Sequence, residues 1–463
     1  MRILLVVYDN DSYIHWFPQG LAYIAAVLKN TGHDVEIYNQ DMHHYPEEHL
    51  TSFLDNNRFD MIGVSIIAGY YQYKKLMEIS LAIEKSKNRP DHYILGGHGP
   101  APEPEYFLNK TNADVVVIGE GEETIVELTN AFANHRPLEK IDGIAYRNGN
   151  RVVVNRRREL IQDIDTIPWP AYDLFPIEYY RLLRMPHTAH SDFALPLLSG
   201  RGCTFKCNFC YRLDKGFRPR SAGAIVEEIK FLKKEYGITY IAFSDELLMS
   251  SKKRTEKICK AFIKADLNIK WDCNGRLNYA DPDILKIMKS AGCVFINYGI
   301  EAFDDIVLKK MNKALTTRQI NKGIEATLNA GMSPGLNILF GHRGDTKETL
   351  KKAVDFLIRQ DDGAQMRTIR PVTPYPGSPL YYYAIEKGLI KDIADFYEDK
   401  HTNSDLFAVN FTNMTEDELY SELTAANIRL LENYFENKKK NMFNQTMELY
   451  ATRDASFRGF RQA

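Results

Sequence analysis

Short apolar runs alternate with helix-length stretches in two separate series along these 463 residues. Between the series lies the proline-stiffened segment Ile167-Pro168-Trp169-Pro170-Ala171-Tyr172-Asp173, and a chain patterned this way is expected to build two α/β units in succession. In the first series Ile3–Val7 is continuously apolar, as a parallel strand covered on both faces requires. Gly20–Lys29 then reads as a helix closed by Gly32. Strands follow at Val35–Tyr38, Asp60–Ser65, Tyr93–Gly97 and Asp114–Gly119. This pattern predicts a doubly wound, Rossmann-like domain over residues 1–135. Residues 136–190 are expected to be connecting structure, with a small hairpin around Asn148-Gly149 before the linker. The second series, Leu195–Ser199, Tyr240–Glu246, Ile269–Arg276, Cys293–Glu301, Ser333–Gly341 and Met366–Arg370, predicts a partial (β/α)6 TIM-like barrel over 191–380. A helical domain is expected over 381–463, its longest stretch at Glu416–Phe435. Phe396, Tyr397 and Phe407 in this part suit either a cover over the barrel mouth or a helix seam.

Three of the six cysteines fall within eight residues, in Arg201-Gly202-Cys203-Thr204-Phe205-Lys206-Cys207-Asn208-Phe209-Cys210. The spacing Cys-x3-Cys-x2-Cys leaves one iron of a four-iron cluster without a protein ligand, and that iron is free to bind and reduce a small molecule. A chance clustering of thiols, or zinc held with a distant fourth ligand, are the competing readings; no fourth cysteine follows at short range. A non-enzymatic metal-stabilised scaffold or partner-binding protein is a further, separate reading. The loop follows the first strand of the second series, so the thiols would sit at the carboxyl end of a barrel strand, the face that carries function in such barrels. Most of the other strands deliver a polar residue to the same rim. Asp245 and Glu246 close the second, Arg276 the third and Glu301 the fourth.

Composition narrows the partners. Lys plus Arg number 59 against 61 acidic residues, a net charge of -2, which gives no extended surface for nucleic acid. No window approaches the roughly 18–20 apolar residues of a membrane span, and the apolar run after Met1 is too short for a signal peptide. Cysteine usage of this kind points to a reducing, cytoplasmic compartment. In the first domain the strand ends carry Asp9-Asn10-Asp11, Ser65-Ile66-Ile67-Ala68-Gly69, Gly96-Gly97-His98-Gly99 and Gly119-Glu120-Gly121-Glu122, where doubly wound sheets take their ligands. No Gly-x-Gly-x-x-Gly follows the first strand, which disfavours a nicotinamide cofactor. A flavodoxin-like domain without a ligand is the bland alternative.

The cysteine run, with Phe209 just before its last member, resembles the cluster motif of the radical S-adenosylmethionine enzymes. The first domain resembles the cobalamin-binding domain that precedes the barrel in the B12-binding class of that superfamily, through Phe17–Ala26, Gly32-His33-Asp34-Val35, Asp60–Ser65, Leu95–His98 and Gly119–Glu122. Together the resemblance covers about residues 1–385.

The resemblance implies a [4Fe-4S] cluster on Cys203, Cys207 and Cys210, with S-adenosylmethionine at the open iron and cobalamin between the domains. Cleavage of S-adenosylmethionine would give a 5'-deoxyadenosyl radical. Arg276 is expected to hold the carboxylate of S-adenosylmethionine as a fork. Glu301 would meet its amine or ribose, and Asp245 or Glu246 its hydroxyls. Ser65, Gly97, His98 and Gly99 would lie near the nucleotide tail of the corrinoid, with the loop from Tyr13 to Phe17 facing the barrel. Asp41-Met42-His43 superficially resembles the signature of histidine-ligated B12 enzymes, but position 46 is proline and the segment follows strand two, so His43 is read as a loop histidine and no cobalt ligand. The expected reaction is methylation of an unactivated carbon of a small biosynthetic intermediate; ring closure or rearrangement, as in the oxygen-independent cyclase of chlorophyll synthesis, is the alternative. A one-electron reductant protein such as flavodoxin or ferredoxin is the implied partner.

Overall fold

The computed structural model describes residues 1–453 and 455 except 13–14, 186, 190, 213–215 and 364. In the first unit, β1 (Arg2–Val7), β2 (Asp34–Asn39), β3 (Met61–Ser65), β4 (His92–Gly96) and β5 (Val115–Val117) pair in parallel, in the order β2-β1-β3-β4-β5. The apolar run of β1 is divided between two cores: Ile3, Leu5 and Val7 face helices Gln19–Asn30 and Glu122–Ala133, while Leu4 and Val6 face helices Glu47–Asn56 and Tyr70–Lys85. Each such side chain contributes roughly 1.5–3 kcal/mol when fully buried, which is why the strand shows no polar alternation.

The hairpin β6 (Ile144–Asn148) and β7 (Arg151–Val154) departs from expectation. It is no connector; β6 pairs antiparallel with β5 and extends the sheet to seven strands. Ile144 and Tyr146 enter one core and Ala145 the other, and that burial holds the hairpin in the sheet.

The second unit is a curled, six-stranded parallel sheet made of β8 (Ala194–Leu197), β11 (Tyr240–Phe243), β12 (Lys270–Gly275), β13 (Cys293–Glu301), β14 (Ser333–Phe340) and β15 (Arg370–Pro371), in the order β15-β14-β13-β12-β11-β8. Between β8 and β11 a two-stranded ribbon, β9 (Gly200–Cys203) and β10 (Gly216–Pro219), projects from the rim. The sixth strand pairs only at Arg370–Pro371, at the far end of the expected Met366–Arg370, while the Arg367 side chain pairs with Asp361 and Asp362.

The two units share an interface and one apolar core runs through both. Phe17 packs on Tyr172, Phe175 and Tyr180 of the linker. Gln19 donates to the Pro196 carbonyl and accepts from Ser244 Oγ at 2.6 Å. The C-terminal part is helical, but it has no core of its own. Phe396 and Tyr397 are buried in a seam with Tyr73, Phe107 and Tyr381, whereas Phe407 packs against Phe340 and Tyr420. The last helix runs from Glu416 to Thr452, well past the expected Phe435, and begins with a capping box between Thr415 and Glu418. Among the described residues no helix is long and apolar enough to cross a membrane.

Candidate active site

Cys203 ends β9, and the chain that follows is pinned from three sides. Gly202 has φ +83° and passes so close to β10 that a Cβ there would lie 2.5 Å from the Gly216 carbonyl oxygen, so only glycine fits. Asn208 donates from its backbone to the Met311 carbonyl and from Nδ2 to the Lys310 carbonyl, while its own carbonyl accepts from Leu380 N at 2.8 Å. Asn208 Oδ1 lies 3.0 Å from His342 Nε2, and Asn312 Nδ2 donates to the Lys206 carbonyl. A segment anchored this often holds its side chains in place before any ligand arrives.

Cys207 is buried, Cys203 half-buried and Cys210 exposed at its edge. Burial pushes the Cys210 thiol up to about 11, with the Cys207 and Cys203 sulfurs adding in the same direction. A cationic iron cluster would supply the charge that lets all three be thiolates. No group of three or more His, Cys, Asp or Glu among the described residues closes around a single metal ion. Three thiolates at this spacing suit a cubane, whose ligands bind separate irons. The donor set fits the cluster.

The rim beside the thiols is cationic and aromatic. The Arg276 guanidinium stacks 3.4 Å over the Phe205 ring, donates to the Lys313 carbonyl and comes within 3.9 Å of Cys207 Sγ. Lys313 Nζ pairs with Glu301 at 2.9 Å, both nearly buried. Glu301 sits at φ +71°, beside a register shift in β13, an arrangement that turns its carboxylate back toward Gly299. A non-glycine residue held in the left-handed region costs energy that its surroundings must offset.

Arg276 and Glu301 are thus brought together near the cysteines, as expected from their strand ends. Glu246 is exposed and accepts from Gly202 N at 3.1 Å, one residue before Cys203. Asp245 corrects the expectation. It is fully buried, and its carboxylate accepts from both the backbone N–H and the hydroxyl of Ser199, so it props the start of the ribbon instead of opening toward a ribose. Lys313 and His342 were not legible as site residues, since each lies outside any spaced motif and meets the cysteine loop only through the fold; Phe205 and Asn208 lie within the cysteine run, but its spacing gave them no role.

Asp245 carries a pH consequence. Burial raises its carboxyl from 3.8 to about 6, against the pull of the Ser199 hydrogen bonds. The folded chain therefore holds a proton that the unfolded chain releases, so this contribution to stability is complete below pH ~4 and is lost as pH rises to about 6, by about 3 kcal/mol. Asp345 and Asp272 are raised into the same region by burial, so the test is a difference between proteins. Urea unfolding of Asp245→Asn across pH 4–7 is expected to lack this part of the pH dependence and to be no less stable than the native chain at pH 7.

On the first unit, the loops after β3 and β4 form a tight cradle. Gly97, at φ +90°, would place a Cβ 2.3 Å from the Ile66 carbonyl oxygen and 2.8 Å from Ser65 Oγ, and a Cβ on Gly99 would lie 2.9 Å from the Ile66 side chain. Ser65 is half-buried, while Gly97 and His98 are exposed at the carboxyl edge of the sheet. The His98 ring meets Tyr211, the residue after Cys210, edge to face at 5.8 Å. Exposed backbone at Gly97 and His98 therefore adjoins the cysteine loop. Tyr13 and Ile14, expected to face the barrel, lie outside the described residues; His43 stacks on Tyr45 at 4.7 Å, after β2. Glu120 and Glu122 turn to Arg201 of the ribbon, and so are engaged away from the cradle.

Comparison with known proteins agrees with both halves. Residues 197–357 match the radical SAM superfamily and residues 6–129 the B12 binding domain. An uncharacterised methyltransferase of Pyrococcus horikoshii is 29% identical over 84% of this chain and 84% of its own length. The anaerobic magnesium-protoporphyrin IX monomethyl ester cyclase of Rubrivivax gelatinosus is 27% identical over 79% of this chain and 66% of its own. Among solved structures, the radical S-adenosylmethionine methyltransferase TsrM from Kitasatospora setae, with cobalamin and a [4Fe-4S] cluster bound, superposes with a TM-score of 0.73 at 16% identity, covering 93% of this chain and 89% of that one. That likeness is one of fold.

Proposed function

As a radical S-adenosylmethionine enzyme that carries a B12-binding domain ahead of its barrel, this chain, we propose, methylates an unactivated carbon of a small biosynthetic intermediate. The contact that supports the reading is His98 against Tyr211, which brings the loop after β4 beside the cysteine loop. Bound at Cys203, Cys207 and Cys210, a cluster would supply the electron for cleavage of S-adenosylmethionine, and a corrinoid on the first unit would supply a methyl carrier.

The residues divide the remaining work. Arg276, already held flat on Phe205, presents a fork to the carboxylate of S-adenosylmethionine. Glu301 offers an acceptor to its amine or ribose and Glu246 to a hydroxyl, while the pair with Lys313 holds the Glu301 side chain in place. Ser65, Gly97, His98 and Gly99 hold the nucleotide tail of the corrinoid. Enclosure between the two units keeps water and other hydrogen donors from a carbon radical. The electron comes from a one-electron carrier protein such as a flavodoxin or ferredoxin.

The similarity to the Rubrivivax cyclase favours a second reading, closure of a ring without gain of carbon. Incubation of the reconstituted, cobalamin-loaded enzyme with S-adenosylmethionine, a strong reductant and candidate substrates separates the two. Methylation requires S-adenosylhomocysteine and 5'-deoxyadenosine together with a product one carbon heavier. 5'-Deoxyadenosine alone, with a product of unchanged carbon count, rejects it in favour of the cyclase reading.

A further inference from the structure

The ribbon that ends in Cys203 contains a charge problem. Arg201 on β9 and Arg218 on β10 are direct cross-strand partners, so both side chains leave the same face, and like charges placed opposite each other destabilise a ladder. A two-stranded ribbon is marginal on its own. Its compensation comes from the other unit. The Glu120 carboxylate, nearly buried, bridges the two guanidiniums: Oε1 accepts from Arg201 Nη1 at 2.7 Å and Oε2 from Arg218 Nη1 at 2.7 Å. Glu122 takes the second Arg201 nitrogen. Arg218 also donates to the Ile161 carbonyl, and Ile161 N donates back to Glu120 Oε2. Hydrogen bonds from Arg218 and Arg201 outweigh the burial of Glu120 and hold its carboxyl below the usual range.

We propose that Glu120 is a positioning residue for the cluster: by neutralising the opposed Arg201 and Arg218, the B12-binding domain orders the ribbon that carries Cys203, and the cluster site is complete only when the two domains are docked. Buried ion groups are weak net stabilisers, so a bridge of this kind is better suited to setting geometry than to raising stability. The inference depends on the cluster and is independent of which reaction follows.

Charge arithmetic makes it testable in the full-length, reconstituted protein. Glu120→Gln removes the anion that the two facing cations share, while Glu122 stays on Arg201, and the cluster absorbance is expected to bleach ~10-fold faster under a chelator, as loosening by about 1.4 kcal/mol would give. Glu120→Gln/Arg218→Gln removes the repulsion and is expected to return bleaching to within about 2-fold of native, a rescue that loss of hydrogen bonds alone cannot give. Arg218→Gln by itself, which leaves Glu120 on Arg201, should keep the cluster. The idea is overturned if Glu120→Gln bleaches at the native rate, if the double variant is no better than the single, or if Arg218→Gln loses the cluster as fast as Glu120→Gln. Should Glu120→Gln fail to fold, the double variant and Arg218→Gln still decide, because the proposal requires both to fold and hold iron.

Discussion

Cys203→Ala, Cys207→Ala and Cys210→Ala are each expected to lower bound iron from about four per chain to below one and to remove the charge-transfer absorbance, taking cleavage of S-adenosylmethionine to background. The three variants should not be equal in stability. Cys207 is buried against Arg276 and its loss leaves a small cavity beside a cation, whereas Cys210 sits at an exposed edge. Cys259, Cys273 and Cys293 supply the control. All three are buried behind the barrel strands, among apolar neighbours, so Cys259→Ala is expected to keep its iron while losing some packing. Iron analysis and absorbance after anaerobic reconstitution give the answer, and retention of a full cluster by any one of the first three would remove that residue from the ligand set.

Lys313→Met is expected to be the most costly single change on the rim. It leaves Glu301 as a nearly buried carboxylate without its cation, a loss of about 3–5 kcal/mol when such a pair is broken from one side. Adding Glu301→Gln removes the stranded charge and should recover most of that loss in urea unfolding. Binding of S-adenosylmethionine separates a structural pair from a functional one. The double variant is expected to regain stability and yet bind S-adenosylmethionine at least ~10-fold more weakly than native. Recovery of both together would show that the pair only holds β13 to the following loop.

The proposed division of labour explains why several neighbouring acids carry different tasks. Asp245 and Glu246 are adjacent in sequence, yet one is sealed beneath the ribbon and the other is exposed beside it. Glu120 and Glu122 lie at the carboxyl edge of the first sheet, where ligands of such sheets are expected, but they are turned to the neighbouring unit. Identity of a residue and its place at a strand end did not settle which way its side chain would point.

What the amino-acid sequence determined by itself was local and periodic. Continuous apolar runs placed the strands of both sheets, because a parallel strand must be covered on both faces. The close spacing of Cys203, Cys207 and Cys210 pointed to an open-iron cluster, because ligands that near in the chain need little help from the fold to meet. Arg276 and Glu301 were named from their position, as the polar ends of apolar strands.

Tertiary structure decided whatever depends on partners distant in the chain. The hairpin at Ile144–Val154 joins the first sheet because two cores, assembled from strands and helices far from it, take its alternating side chains. Asp245 became a prop because Ser199 lies 46 residues earlier. Lys313 reached Glu301, and Glu120 reached Arg201, across turns that no short pattern encodes. Hydrogen bonds and ion pairs of this kind act over a few ångströms and leave no period in the sequence, so the fold alone assigns them.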